Sequence, residues 1–178
     1  MTDLTMNATP QFCFDRLIDI TIDDIKRMNV KALSIDLDNT SVYDCTMTPI
    51  KGVKSWLKKV KAAGYKISFV SNSFELRAKW MGKIFDCPSY GPADKPDPKM
   101  IVMAAEKMGV KIHEMALIGD RLFTDILGAN NSGAVSVYIK PYMKEFTFPF
   151  YWKNARQAEI DYLKKVNINR DLKTLYYK

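Results

Sequence analysis

Asp36 and Asp38 stand two residues apart at the end of a short, partly apolar run, Lys31-Ala32-Leu33-Ser34-Ile35. In an extended chain, period-two geometry puts their carboxylates on the same side. Two carboxylates that close repel unless a cation or a proton lies between them. Asp36-Leu37-Asp38-Asn39-Thr40 is therefore a candidate site for acid/base or metal chemistry, although Asp-Asn-Thr is also ordinary turn chemistry.

Three further stretches carry similar groups. Val70-Ser71-Asn72-Ser73 sets hydroxyls and an amide where a helix opens, a place whose backbone N–H groups favour an anion, and the same residues also serve as an N-cap. Lys95, in Ala93-Asp94-Lys95-Pro96-Asp97-Pro98, lies in a stiff proline-flanked loop suited to holding an ammonium over a site; the commoner alternative is a surface lysine. Gly119-Asp120-Arg121-Leu122-Phe123-Thr124-Asp125 supplies two more carboxylates, with a helix cap (Asp120) and a solvated helix residue (Asp125) as the plainer readings.

The elements that must position these groups alternate between β-rich runs and helical patterns, the signature of a parallel sheet flanked by helices. Lys31 to Asp36 reads as the first strand, a buried one whose tip reaches a site. Val53, Trp56, Leu57 and Val60 fall at helical spacing, with Gly64 as the stop. Tyr65 to Val70 gives the next strand, Ser73 to Ile84 a helix, and Pro88 to Pro92 a loop. Pro98 opens a helix whose apolar face is Ile101, Ala104, Ala105 and Met108 and which Gly109 closes. Met115 to Ile118, Leu122 to Asn130 and Ala134 to Ile139 complete the pattern as strand, helix and strand. Ahead of it, Thr21 and Asp24 form a variant capping arrangement for a short helix through Met28. Beyond Pro141 the rhythm fades. In an open parallel sheet, ligands bind outside the carboxyl ends of the strands, which is where the candidate residues fall.

With 178 residues, the chain is read as a single domain with a core from about residue 30 to about 140. A composition of 47% hydrophobic and 26% charged residues is that of a soluble globular protein. Met1 to Asp15 lacks an apolar stretch of signal-peptide length, and nowhere do apolar residues run far enough to span a bilayer, so a cytoplasmic location is expected. Cys13, Cys45 and Cys87 are odd in number and far apart, which suits reduced thiols rather than disulfides or a zinc site. His113, the only histidine, reads as a surface or capping residue. A formal charge of +7 points to an anionic partner, and the segment from Tyr151 carries seven basic residues against three acidic ones.

The ordered set Asp36-x-Asp38-x-Thr40, Ser71, Lys95-Pro96 and Gly119-Asp120 to Asp125 resembles the four motifs of the haloacid dehalogenase superfamily, most of whose members are phosphatases. Leu17 to Thr40, Ser71-Asn72, Lys95-Pro96 and Gly119 to Ile126 are similar to the YqeG-type branch of subfamily IIIA, related to phosphatidylglycerophosphate phosphatases. The resemblance spans roughly residues 14 to 150. Ser41 and Arg121 depart from that branch, where an apolar residue and a glutamine are expected, and Arg121 at the rim would alter what binds.

The resemblance implies an α/β Rossmann-like fold and a phosphomonoesterase. Asp36 would attack phosphorus to form an aspartyl-phosphate, and Asp38 would protonate the leaving alkoxide and then take a proton from water. Mg2+ would be held by Asp36, Asp120 and the main-chain carbonyl of Asp38, with Asp125 as a neighbouring ligand. Ser71, Asn72 and Lys95 would bind the phosphoryl group. About thirty residues from Asp38 to Ser71, and about two dozen on to Lys95, are ordinary crossover lengths that leave no room for a large cap domain. A capless site suits a phosphate on a bulky body. The leading substrate is thus phosphatidylglycerophosphate, with soluble nucleotides or sugar phosphates as the alternative. A receiver-like phospho-switch has similar strand-end groups but no need of the second carboxylate, and nucleic-acid binding rests on charge alone. Phe146, Phe148, Phe150, Tyr151 and Trp152 beside the basic tail suggest either packing on the sheet edge or peripheral contact with an anionic membrane.

Overall fold

The computed structural model describes residues 7–142 and 149–165. Six strands form one all-parallel sheet: β1 (Phe12–Phe14), β2 (Ala32–Ile35), β3 (Lys66–Val70), β4 (Ser89–Tyr90), β5 (Met115–Gly119) and β6 (Val135–Ile139), in the spatial order β1-β6-β5-β2-β3-β4. From β2 the chain steps outward to β3 and β4, then returns to build β5 and β6 on the other side. This reversal puts a crevice at the carboxyl ends of β2 and β5, the binding position of open α/β sheets.

Every residue of β2 and β5 is buried, as a central strand covered on both faces requires. Alternation along β2 sends Leu33 and Ile35 to one core and Ala32 to the other. The first core is closed by α1 (Ile22–Met28), α2 (Val53–Ala62) and α3 (Glu75–Phe85) through Ile25, Trp56, Leu57, Met81 and Phe85. The Trp56 indole N–H donates to the Ile20 carbonyl at 2.7 Å, so its burial leaves no polar atom without a partner. On the other face α4 (Lys99–Lys107) and α5 (Leu127–Ser132) bring Ile101, Ala104, Ala105 and Ala129 onto the sheet. Ser34 and Ser68 are register partners on that face, and their small, fully buried side chains let α4 approach closely.

The capping arrangement at Thr21 forms as expected: its side chain accepts from Asp24 N while Asp24 receives the Thr21 N–H. His113 is exposed, and all three cysteines are free thiols. Four elements differ from expectation. Phe12–Phe14 pairs with β6, and Ser89–Tyr90 pairs with β3 inside the stretch read as a loop; strands of three and two residues are too short to show a period. The stretch expected as a helix from Leu122 to Asn130 opens with a wide π-type turn, Leu122–Ile126, before α5 begins. Past the point where the rhythm fades, Pro149–Lys165 forms α6. It packs through Tyr162 and Leu163 on Leu122, Ile126 and Leu127, and the Tyr162 hydroxyl accepts from Ala8 N at 3.0 Å. Phe146, Phe148 and the tail beyond Lys165 lie outside the described residues, as do the side chains of Phe150, Tyr151 and Trp152.

Gly119 closes β5 where a side chain cannot fit, because a Cβ there would lie 2.2 Å from Asp125 Cγ. Gly119→Ala must therefore displace the Asp125 carboxylate. A loss of about 1–3 kcal/mol in urea unfolding is expected, and an unchanged midpoint would mean that Asp125 moves aside at no cost.

Candidate active site

Asp36 follows β2 directly, and its N–H continues the ladder to Ile118 O at 2.8 Å. Its side chain enters a buried cluster instead of a solvated turn. Lys95 Nζ, almost fully buried, donates to Asp36 Oδ1 at 2.7 Å, to Asp125 Oδ1 at 2.6 Å and to Val70 O at 2.7 Å. Three donors thus meet three acceptors, and one ammonium serves two carboxylates. This excludes the reading of Lys95 as a surface residue and of Asp125 as a solvated one.

Asn72 fixes the lysine from behind. Its amide accepts from Lys95 N at 2.7 Å and donates to Lys95 O at 3.0 Å, a two-point clamp on the main chain. Its side chain, expected to bind phosphate, lines the cleft and positions Lys95 through these two bonds. Ser71 is buried at the end of β3, and its Oγ accepts from Ser73 N at 3.1 Å. Neither residue caps α3, which begins later and has Phe74 at its N-cap position with no side-chain cap. Gly91 allows the strap between β4 and Lys95 to close over β3, since a Cβ there would stand 2.5 Å from Ser73 O.

Asp38 points to the outer part of the cleft and is held by a residue that sequence reading passed over. Arg77 grips its two oxygens through Nη1 and Nη2 at 2.7 Å each, and also donates to Thr46 O at 2.7 Å and Ser73 Oγ at 3.1 Å. Cys45 N donates to Asp38 Oδ1 at 2.7 Å. The available signal was a basic residue on the helical face that also holds Ala78 and Met81.

Asp120, at the end of β5, is buried and receives Arg156 from α6, whose guanidinium donates to Asp120 Oδ2. Glu159, one turn on and also buried, accepts from Arg156 Nη1 at 3.0 Å, Arg121 Nε at 3.0 Å and Leu122 N at 3.1 Å. Arg121 is thereby drawn toward α6 at the rim. Arg156 and Glu159 had no strand-end position to reveal them; their spacing of three on a helix is common on any solvated face.

The cluster is short of positive charge. Burial foremost, with Asp125 and Asp38 adding to it against the pull of Lys95, pushes Asp36 up to about 7. Asp120 is also raised well above the usual carboxylate range, again chiefly by burial, with Arg156 opposing. Burial would lower Lys95, but Asp125 and Asp36 outweigh it and hold the ammonium charged. Ligand oxygens of Asp36, Asp120 and Asp125 all lie within 4.8 Å of one another. An all-oxygen set of closely spaced carboxylates fits a hard divalent cation such as Mg2+, which would compensate the negative charge that burial disfavours there. Around the cluster opens a cleft of about 340 Å³, lined by Asp36, Asp38, Ser71, Arg77, Lys95 and Asp120 among others, with Phe74 and Arg121 also in its wall.

Residues 18–133 match the family model described as haloacid dehalogenase-like hydrolase. The Bacillus subtilis protein named "Probable phosphatase YqeG" is 34% identical over 122 residues, 68% of this chain and 71% of the relative. Phosphoglycolate phosphatase of Nitrosospira multiformis is 33% identical over 100 residues, 51% of this chain and 43% of the relative. Among solved structures, the cobalt-bound deoxy-D-mannose-octulosonate 8-phosphate phosphatase of Haemophilus influenzae superposes with a TM-score of 0.50 at 15% identity, covering 73% of this chain and 77% of that one, a likeness of fold.

A divalent cation must displace the protons that Asp36 and Asp120 retain, so its binding is expected to strengthen as pH rises through about 7. Without metal the sign reverses: the folded protein keeps a proton that the unfolded chain releases, and this stabilising contribution is lost between pH 3.8 and about 7. The rise in Tm on adding Mg2+ should be larger at about pH 8 than at about pH 6, and calorimetry should show proton release. Equal Tm shifts at both pH values would contradict the coupling.

Proposed function

The chain belongs to the haloacid dehalogenase-like hydrolase family and is a phosphoric monoester hydrolase, and we propose that Asp36 is its nucleophile and Asp38 its general acid and base. The observation that carries this reading is the buried Asp36–Lys95–Asp125 cluster beside Asp120 at the switch point of the sheet. It supplies a carboxylate for attack and cationic charge where a phosphoryl group would come to rest.

In the proposed reaction an oxygen of Asp36 attacks phosphorus, forming an O–P bond as the bond to the leaving alkoxide breaks. The alkoxide takes a proton from Asp38. Water then attacks the aspartyl-phosphate, giving its proton to Asp38, and release of inorganic phosphate restores Asp36. Lys95 and Ser71 bind phosphoryl oxygens, and Asn72 keeps Lys95 in register. Held by Asp36, Asp120 and the Asp38 carbonyl with Asp125 nearby, Mg2+ would neutralise charge on the phosphoryl oxygens. For Asp38 to trade protons, the grip of Arg77 must loosen once substrate is in the cleft.

The substrate we favour is phosphatidylglycerophosphate, met by one catalytic domain acting from the cytoplasmic face of a membrane. Among the described residues no inserted domain roofs the cleft, so a phosphate on a bulky lipid body has access. No described helix is long and apolar enough to cross a membrane, and contact would be peripheral. Small soluble phosphate esters, sugar phosphates among them, are the second reading, and the match to phosphoglycolate phosphatase, named for a small soluble ester, favours it.

Asp36→Asn should abolish turnover while the fold survives by circular dichroism; appreciable hydrolysis would exclude Asp36 as nucleophile. Asp38→Asn should slow alkyl esters by about 10²–10⁴-fold and para-nitrophenyl phosphate far less, because an activated leaving group needs little protonation. Equal losses on both esters would remove Asp38 from the acid role. Phosphate release from phosphatidylglycerophosphate in mixed micelles, compared with phosphoglycolate and sugar phosphates in buffer, decides the substrate.

A further inference from the structure

The helices α2 and α3 lie side by side on one face of the sheet, with Trp56, Leu57 and Val60 of one and Met81 and Phe85 of the other in the same core. Their outer surfaces are unusual in two independent ways. Of the six exposed large apolar side chains among the described residues, three lie between the N-cap and the middle of α3: Phe74, Leu76 and Trp80, at 64%, 62% and 52% exposure. Leu76 and Trp80 are four apart and share a face, and Lys83 Nζ lies 5.1 Å from the Trp80 ring centroid.

Charge is concentrated on the same layer. Between Lys51 and Asp86 stand nine basic and two acidic residues. Arg77 is turned inward onto Asp38 and Lys66 reaches Met108 O, which leaves Lys51, Lys54, Lys58, Lys59, Lys79 and Lys83 exposed against the acidic pair Glu75 and Asp86. The seven basic and three acidic residues from Tyr151 onward are offset by the four basic and eight acidic residues before Lys51. Helix α2 contributes four lysines and no acidic residue, with Lys54, Lys58 and Lys59 exposed. Phe74 joins this face to the chemistry, because it stands at the start of α3 and also lines the cleft.

We propose that the outer face of α2 and α3 docks on an anionic lipid surface and brings the Phe74 side of the cleft to the headgroup layer. The proposal rests on the lipid-borne substrate reading above and says where the membrane is met. Trp80 and Leu76 suit the interfacial zone, and the lysines bury their stems while their ammonium groups meet lipid phosphates. A second copy of this chain is a poorer occupant, since a two-fold contact would set the basic layer against itself. Nucleic acid would use the lysines but leave Leu76 without a role.

The test is co-sedimentation of the full chain with phosphatidylcholine vesicles, with and without phosphatidylserine, alongside para-nitrophenyl phosphate hydrolysis. Wild type should partition onto the anionic vesicles only, and less so at high salt. Leu76→Ser with Trp80→Ser should weaken partition by about tenfold or more, as should Lys54→Gln, Lys58→Gln and Lys59→Gln together, while ester hydrolysis is unchanged in both. Wild-type partition by the Leu76/Trp80 variant overturns the docking face, as does absence of wild-type binding at low salt. Dimerisation by light scattering that this variant abolishes would give the face to a second copy instead. Vesicle binding without phosphate release from phosphatidylglycerophosphate would refute the substrate reading and leave the docking face standing.

Discussion

One buried ammonium holds the centre of this protein together. Lys95 Nζ spends its three donors on Asp36, Asp125 and the last carbonyl of β3, tying the ends of two strands and the turn after a third to one point. Removing charge from water is costly unless it is paired and fully hydrogen-bonded, and here every donor is used. The remaining features support this point: Asn72 fixes the lysine main chain, Gly91 lets its strap close, and Gly119 clears space for Asp125.

The compensation is incomplete, which suits the cluster to hold a cation as well as to tie the fold together. One lysine faces two carboxylates, Asp120 joins them from β5, and burial raises Asp36 and Asp120 above the usual range. A site of this kind attracts cations. Arg156 from α6 meets Asp120, and the carboxylate oxygens within 4.8 Å of one another make a hard-metal donor set. The helix that supplies Arg156 lies beyond the 18–133 stretch matched by the family model, so the surroundings of Asp120 are shaped partly by a segment outside that common core.

Asp38 sits under a different regime. It is further from the buried cluster, partly exposed, and bound at both oxygens by Arg77, which also holds Thr46 and Ser73. Two aspartates two residues apart therefore have separate environments: one desolvated and sharing a lysine, the other at the wall of the cleft in an arginine fork. In the proposed mechanism this division is what separates the nucleophile from the acid.

The order of chemistry-bearing residues along the chain was enough to place them together in one candidate site, because a parallel sheet brings strand ends to one edge whatever else varies. Asp36, Ser71, Lys95, Asp120 and Asp125 were legible as neighbours for that reason, as were β2, β3, β5 and β6 from their apolar runs and α2 from its helical period. Sequence spacing left the alternatives of turn, cap and surface lysine open at each position. Only burial and hydrogen-bond partners in the folded chain decided them. The short strands β1 and β4 exist because a neighbouring strand offers them a ladder, not through any period of their own. Arg77, Arg156 and Glu159 came from helices, where a charged residue reads as solvated until the tertiary structure shows which face is turned inward, and long-range contacts of that kind leave no local mark in the sequence.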